Sequence, residues 1–277
     1  MAKRKQYCLD MRRKLSKKEY RDRLFVSDEK LFNENNDSVK KELRKKRTPP
    51  TQVKHRAHPE QVMVWAVFGN GMRQIVFHDS GSPWQQKSRK QLVKEKRVAG
   101  SFGISATKRY RLKELLRKSP QQQREWMRIE RLVGTTGKQG GVDRFAYAHK
   151  CLAPFLERTR KFSRKPILLE DNAQIHKSIY CSVFKKLRKI DTVPGHAPNS
   201  CDLNPCEYVW SYLERKVSVR GPASKAELIK RIEEEFYAIP EATVRKWIDS
   251  YWDRLEACIA AKGDWVGQRG LRARPRG

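Results

Sequence analysis

Three carboxylates set the chemistry this chain could perform. Asp28 follows the apolar run Leu24-Phe25-Val26 through Ser27, and Asp171 follows Ile167-Leu168-Leu169 through Glu170. Glu207 stands near the start of a later amphipathic pattern, with 35 residues between it and Asp171. Carboxylates gathered in one place repel one another unless cations lie between them, and hard oxygen donors suit Mg²⁺ or Mn²⁺. Two such ions roughly 3.5–4 Å apart can activate a water or a 3′-hydroxyl and stabilise the leaving oxygen of a phosphodiester. Each residue also has a plain structural reading. Asp28-Glu29 is then surface charge, Asp171-Asn172 a turn after a strand, and Glu207 the N3 member of a capping box.

The surrounding pattern says how such residues could be positioned. Short apolar runs bounded by polar residues predict buried strands whose side chains alternate between faces. Asp171 then shares a face with Leu169 and Ile167, and Asp28 with Val26 and Leu24. Both aspartates are expected at the carboxyl ends of their strands, the edge of an α/β sheet where ligands sit. Asn204 suits an N-cap, Pro205 the first helical position and Glu207 the third. Val209, Trp210, Leu213 and Val217 supply that helix's apolar stripe. Val62–Phe68 and Met72–His78, separated by Gly69-Asn70-Gly71, predict a hairpin. With Leu24–Asp28 it makes three antiparallel strands, extended in parallel by Ile167–Asp171 and a short strand near Asp191–Val193.

Further helices are predicted over Val142–Phe162, Ile175–Ile190, Ala226–Tyr237 and Glu241–Ala261, with Gly263 ending the last. The second turns Tyr180, Val183, Phe184 and Leu187 inward and Lys185, Lys186, Arg188 and Lys189 outward, as a solvated face or a DNA-binding track. The last puts Val244, Trp247, Ile248, Tyr251, Trp252, Leu255 and Ile259 on one core-facing stripe.

Lys and Arg number 62 against 31 acidic residues, a net charge of +31. That excess implies a polyanion partner, and nucleic acid is the default. No apolar stretch is long enough to span a bilayer, and the first residues lead into no signal-peptide core. The six cysteines form no C-x₂-C pair, so zinc is not expected and reduced thiols in an intracellular protein are. The 33–60 loop carries Lys40, Lys41, Arg44, Lys45, Lys46 and Arg47. It reads equally as a solvated or nuclear-localisation patch and as a DNA-contacting loop.

Taken together, four blocks resemble a known family. Val26-Ser27-Asp28-Glu29, Val62-Met63-Val64-Trp65, Asp171-Asn172-Ala173-Gln174-Ile175-His176 and Asp202-Leu203-Asn204-Pro205-Cys206-Glu207-Tyr208-Val209-Trp210 look like the catalytic core of Tc1/mariner transposases, over about 20–83 and 142–266. The resemblance implies a ribonuclease H-like α/β fold, a mixed sheet flanked by helices. It implies that Asp28, Asp171 and Glu207 are the catalytic, metal-binding triad for two Mg²⁺ (or Mn²⁺) ions. Asn172, His176, Asp202 and Asn204 would support them. The implied chemistry is hydrolytic strand cleavage followed by attack of the freed 3′-hydroxyl on target DNA. DNA is the expected partner, a homodimer is left open, and neither a membrane nor a small-molecule substrate is expected. The location would be nuclear in a eukaryote, or the cytoplasm and nucleoid of a bacterium. The family's helix-turn-helix domains are not expected upstream, so little preference for one DNA sequence is expected either.

The chain departs from the family's pattern in three ways. The second spacing is one residue longer than the commonest, Cys201 stands where proline is usual, and residues 84–141 are an insertion. The insertion is dense in Lys, Arg and Gln and reads as a basic helical segment making nonspecific phosphate contacts. A loose helix-turn-helix at 98–112, or a poorly ordered or unspliced segment, is the alternative. Residues 1–22 read as a linker or short helix, and 267–277 as a basic tail. Two other functions stay open: a ribonuclease H-superfamily nuclease, and a DNA-binding relic that no longer cuts.

Overall fold

The computed structural model describes residues 1–34, 60–78, 103–104, 108–133, 142–162, 165–195, 200–218, 222 and 224–266. Strands β1 (Leu24–Asn33), β2 (Gln61–Gly69) and β3 (Met72–His78) run antiparallel, with Phe32 opposite Val62 and Gly69 opposite Met72. Asn70 (φ 44°) and Gly71 (φ 73°) are both left-handed, which is the two-residue turn whose twist fits an antiparallel pair. β4 (Ile167–Leu169) and β5 (Asp191–Thr192) pair in parallel, Ile167 opposite Asp191. The sheet order is β3-β2-β1-β4-β5, the mixed ribonuclease H-like sheet expected from the sequence.

The flanking helices are α1 (Ala2–Leu15), α2 (Lys18–Arg23), α3 (Leu112–Arg117), α4 (Pro120–Val133), α5 (Arg144–Ala146), α6 (Ala153–Thr159), α7 (Ile179–Arg188), α8 (Cys206–Ser218), α9 (Lys225–Ala238) and α10 (Glu241–Ala260). Between α5 and α6 the helix widens into a π turn, Tyr147–Leu152. Among the described residues no helix is long and apolar enough to cross a membrane.

By contact, the chain divides into two compact units. One takes Met1–Cys8, Val26–Asp79 and Ser200–Gly277, the other Leu9–Phe25 and Ser80–Asn199. In the first unit, β2 is buried without a break from Val64 to Phe68, the signature of a strand covered on both faces. Val209, Trp210, Leu213 and Val217 of α8 are all buried, as predicted, with Leu228, Ile232 and Phe236 of α9 and Val244, Tyr251 and Leu255 of α10. Trp210 meets Phe32 edge-on at 6.0 Å. Each of these large side chains contributes roughly 1.5–3 kcal/mol by leaving water. The N-terminal residues, expected as a linker or short helix, form α1, which adds buried Tyr7 and Cys8. The Tyr7 and Tyr251 hydroxyls hydrogen-bond at 2.6 Å.

Gly263 ends the run after α10 with φ 93°, and its N–H donates to the Cys258 carbonyl at 2.8 Å. A Cβ there would collide with the Met1 carbonyl. Gly263→Ala is therefore expected to cost about 1–3 kcal/mol through strain and collision together. A thermal melt reads this as a fall of several degrees, and an unchanged midpoint would refute the assignment.

The second unit packs around β4, whose three residues are all buried. Phe25 meets Phe155 edge-on at 5.4 Å, and Tyr180, Cys181, Val183 and Phe184 of α7 are buried. The described part of the insertion is folded. Leu115 of α3 and Trp126, Met127 and Ile129 of α4 are buried, and Trp126 lies 6.2 Å from the Tyr180 ring. The 33–60 loop cations, most of the 98–112 segment and the tail lie outside the described residues.

Candidate active site

In the first unit, Asp28 is not at the end of its strand. β1 was expected to stop there, but it continues to Asn33. Phe32 is buried opposite Val62, and Lys30 is neutralised by Glu214 of α8 at 2.8 Å. The charged pair at Glu29-Lys30 therefore does not break the strand. Asp28 sits at its middle, where Trp210 donates its indole N–H to Oδ2 at 2.9 Å. Burial pushes the Asp28 carboxyl up to about 7. The Trp210 hydrogen bond opposes this, and the charges of Glu29 and Glu207 add to it.

Glu207 enters the same unit at the first turn of α8. Asn204 Oδ1 accepts from the Cys206 N–H at 3.1 Å, so the expected cap forms, with the helix counted from Cys206. Burial also raises the Glu207 carboxyl, opposed by Lys30 and Arg254 and helped by Glu214. The buried Cys206 thiol is raised well above its usual range, by burial and then by Asp28, Glu207 and Glu29. The fold thus holds Asp28 and Glu207 as two half-buried carboxylates, with the Glu207 charge reaching Asp28.

Asp202 anchors the loop that leads into Glu207. Its side chain is 1% exposed and ion-paired to Arg4. Oδ2 also accepts the Val266 N–H at 2.9 Å, and the Asp202 carbonyl accepts from Arg254. Arg4 donates further to Ser200 Oγ at 3.0 Å. Asp202 fastens the loop before α8 to residues near both ends of the described chain. The sequence signal was one arginine among several in a basic N-terminal stretch, which does not announce a partner 198 residues away.

In the second unit, Asp171 follows β4, and its side chain is 47% exposed. Its Oδ1 accepts the Ala173 N–H at 2.8 Å, closing a tight turn, and lies 2.8 Å from His176 Nδ1. His176 is buried, and its ring packs at 4.5 Å on Tyr147 from the π turn. Asn172 lies beside Asp171, half-buried. α7 begins later than expected because Ser178 caps it, its Oγ accepting the Cys181 N–H at 3.2 Å.

Lys185 corrects a reading of the sequence. It was expected on the outward, DNA-facing side of α7. Instead it is buried, 2.5 Å from Glu170 Oε1, and donates to the His176 carbonyl at 3.0 Å. The reason is Glu170, a carboxylate buried at the end of β4 that needs a cation. Lys185 is one turn beyond buried Cys181 and next to buried Phe184, a phase that could have revealed it. Lys186, Arg188 and Lys189 are exposed as expected, although Lys186 donates to the Leu116 carbonyl at 2.5 Å.

The structure thus groups Asp28 and Glu207 with Asn204 and Asp202 in one unit, and Asp171 with Asn172 and His176 in the other. Half-buried carboxylates with raised proton affinity, as Asp28 and Glu207 are, are donors a hard divalent cation relieves.

No protein-family model matches the chain. It is 27% identical over 143 residues to the Tcb1 transposase of Caenorhabditis briggsae, covering 49% of this chain and 47% of that one. It is 28% identical over 130 residues to the Tc1 transposase of Caenorhabditis elegans, covering 45% and 46% respectively. The chain spans about half the length of the curated relatives it matches. Its fold matches the catalytic domain of Mos1 mariner transposase with a TM-score of 0.58 at 16% identity, covering 95% of this chain and 94% of that one. The Mos1 mariner paired-end complex with Mn matches at 0.63 and 16% identity, covering 95% and 62%. The chain is thus similar to Tc1-type transposases over about half its length and shares the ribonuclease H-like fold of the Mos1 mariner catalytic domain.

Proposed function

We propose that this chain cuts DNA strands and transfers the freed 3′ end to target DNA. Asp28, Asp171 and Glu207 would hold two Mg²⁺ or Mn²⁺ ions. The observation that carries this reading is Asp28, a carboxyl held by an indole N–H yet pushed up to about 7 by burial and carboxylate neighbours. Such a group is costly as an anion unless a cation shares its site. The net charge of +31 and the Mos1 relative solved as a paired-end complex with Mn support the same partner and metals. DNA binding would place the chain in the nucleus of a eukaryote or the nucleoid of a bacterium.

The bound ions would supply charge neutralisation and acidify an attacking water or 3′-hydroxyl. The chain's own residues do the rest. Trp210 fixes the Asp28 carboxylate, and the Ala173 N–H and His176 fix that of Asp171. Lys185, pinned to Glu170, holds the His176 carbonyl and so the loop that presents Asp171.

The test is incubation with supercoiled DNA of generic sequence. Nicking is expected with Mg²⁺ or Mn²⁺ and is lost on chelation, and strand-joined products separate this reading from a plain ribonuclease H-type nuclease. Nicking that persists in chelator, or a folded protein that never cuts with either metal, would sink the proposal.

A further inference from the structure

The second unit contains a cleft outside the carboxylate site, made where the insertion packs on the core. It measures about 360 Å³ and lies between α4 and α7. Arg124, Arg128 and Arg131 line it from α4. Their spacing of four and three residues puts them on one helix face. Arg188 lines it from the last turn of α7, so its charged lining is four arginines. Phe184 and Tyr180 form an aromatic wall, and the Arg188 guanidinium lies 5.5 Å over the Phe184 ring. Arg128 is already tied to Glu125 by bonds of 3.0 and 2.8 Å, so it shapes the rim. Beside the wall, His149 Nε2 hydrogen-bonds the Tyr180 hydroxyl at 2.7 Å. Burial, then Arg131 and Arg188, hold the His149 ring below its usual pKa.

Guanidinium forks match phosphate oxygens in pairs and tolerate partial desolvation better than ammonium groups. An aromatic wall beside them accommodates a sugar or base. α7 begins just after the Asp171 loop and carries Arg188 at its far end, about 15 Å away at 1.5 Å per residue. That is roughly four to five phosphates along one strand at 3.4 Å each.

We propose that the α4–α7 cleft holds a backbone phosphate of the DNA strand presented at Asp171, several nucleotides from the scissile bond, with Arg124, Arg131 and Arg188 as the contacts. The insertion is then a built-in strand guide. This rests on the DNA-cleaving reading above and adds to it a specific second contact.

The experiment uses the full chain, generic duplex DNA, and the variants Arg124→Gln, Arg131→Gln and Arg188→Gln. Arg158→Gln and Lys161→Gln, exposed cations of the same unit outside the cleft, serve as comparators. Each cleft variant is expected to weaken binding about five- to tenfold for all sequences alike. It should also flatten the slope of log affinity against log salt by about 0.9. The comparators should change little. The His149 ring resonances should move on adding duplex to the parent protein and stay still in the Arg131→Gln, Arg188→Gln double variant, which melting curves can show to be folded. Cleft variants indistinguishable from the comparators would overturn the strand guide while leaving metal-dependent nicking, and so the cleavage reading, intact. A His149 response to inorganic pyrophosphate but not to duplex would overturn it in favour of a small-anion site. A parent protein that binds no DNA would overturn both readings.

Discussion

Asp28→Asn is expected to stabilise the metal-free protein at pH 8 while reducing strand cleavage by roughly a thousandfold or more. The two effects have one cause. The folded carboxyl titrates near 7 and the unfolded one near 4. The fold therefore favours the protonated form, and its stability falls as pH rises from about 4 through about 7. Above that window the ionised Asp28 costs on the order of 2–4 kcal/mol. Asparagine removes the charge and keeps an oxygen for the Trp210 N–H. Melting midpoints of parent and variant should thus coincide near pH 4 and separate by several degrees at pH 8. Mg²⁺ or Mn²⁺ should raise the parent's midpoint at pH 8 and the variant's much less, because a ligand stabilises only the form that binds it. A variant less stable than its parent at pH 8, or one that still cuts, would show that Asp28 is not the strained ligand described.

Asp202→Ala should destabilise the first unit strongly. It leaves the Arg4 guanidinium, side chain 12% exposed, without its counter-ion, and the Val266 N–H without its acceptor. Breaking a buried pair from one side costs about 3–5 kcal/mol, roughly 10 °C in melting midpoint for a chain of this size. Arg4→Met should cost a comparable amount. The double variant should lose clearly less than the sum of the two, since the second change removes a charge already stranded. Additive losses would mean that the two residues act separately. Cleavage should fall along with stability, since the same loop leads into Glu207.

Much of this arrangement could be read from residue order because the signals were local. Asn70-Gly71 forces its hairpin, Ile167-Leu168-Leu169 is too short and apolar to be other than a buried strand, and Asn204 caps the helix that carries Glu207. The features missed were those settled by partners far along the chain. β1 continues past Asp28 because Glu214 neutralises Lys30 and Val62 covers Phe32. Lys185 turns inward because Glu170 is buried. Asp202 is a fastening point because Arg4 reaches it. In each case the deciding counter-charge lies far from the residue along the chain. The four arginines of the α4–α7 cleft show the same limit: a basic helix in sequence does not say which of its cations face a wall.

The π turn at Tyr147–Leu152 absorbs one extra residue within its helix. A turn closed by an i→i+5 bond takes in one residue more than an α turn, and one residue in an α-helix is about 100° of rotation. Removing one residue between Asp143 and Ala153 would let the segment relax to an ordinary α-helix of nearly the same composition. Because the wide turn holds its extra residue within one turn of rotation, Phe145 and Phe155 would keep their phase, and what would be lost is the bulge that carries the Tyr147 ring against His176. Sequence comparison scores such a change as a single gap. In the folded chain it withdraws the support of the histidine beside Asp171, so gap placement in this helix distinguishes homologues that keep that support from those that have lost it.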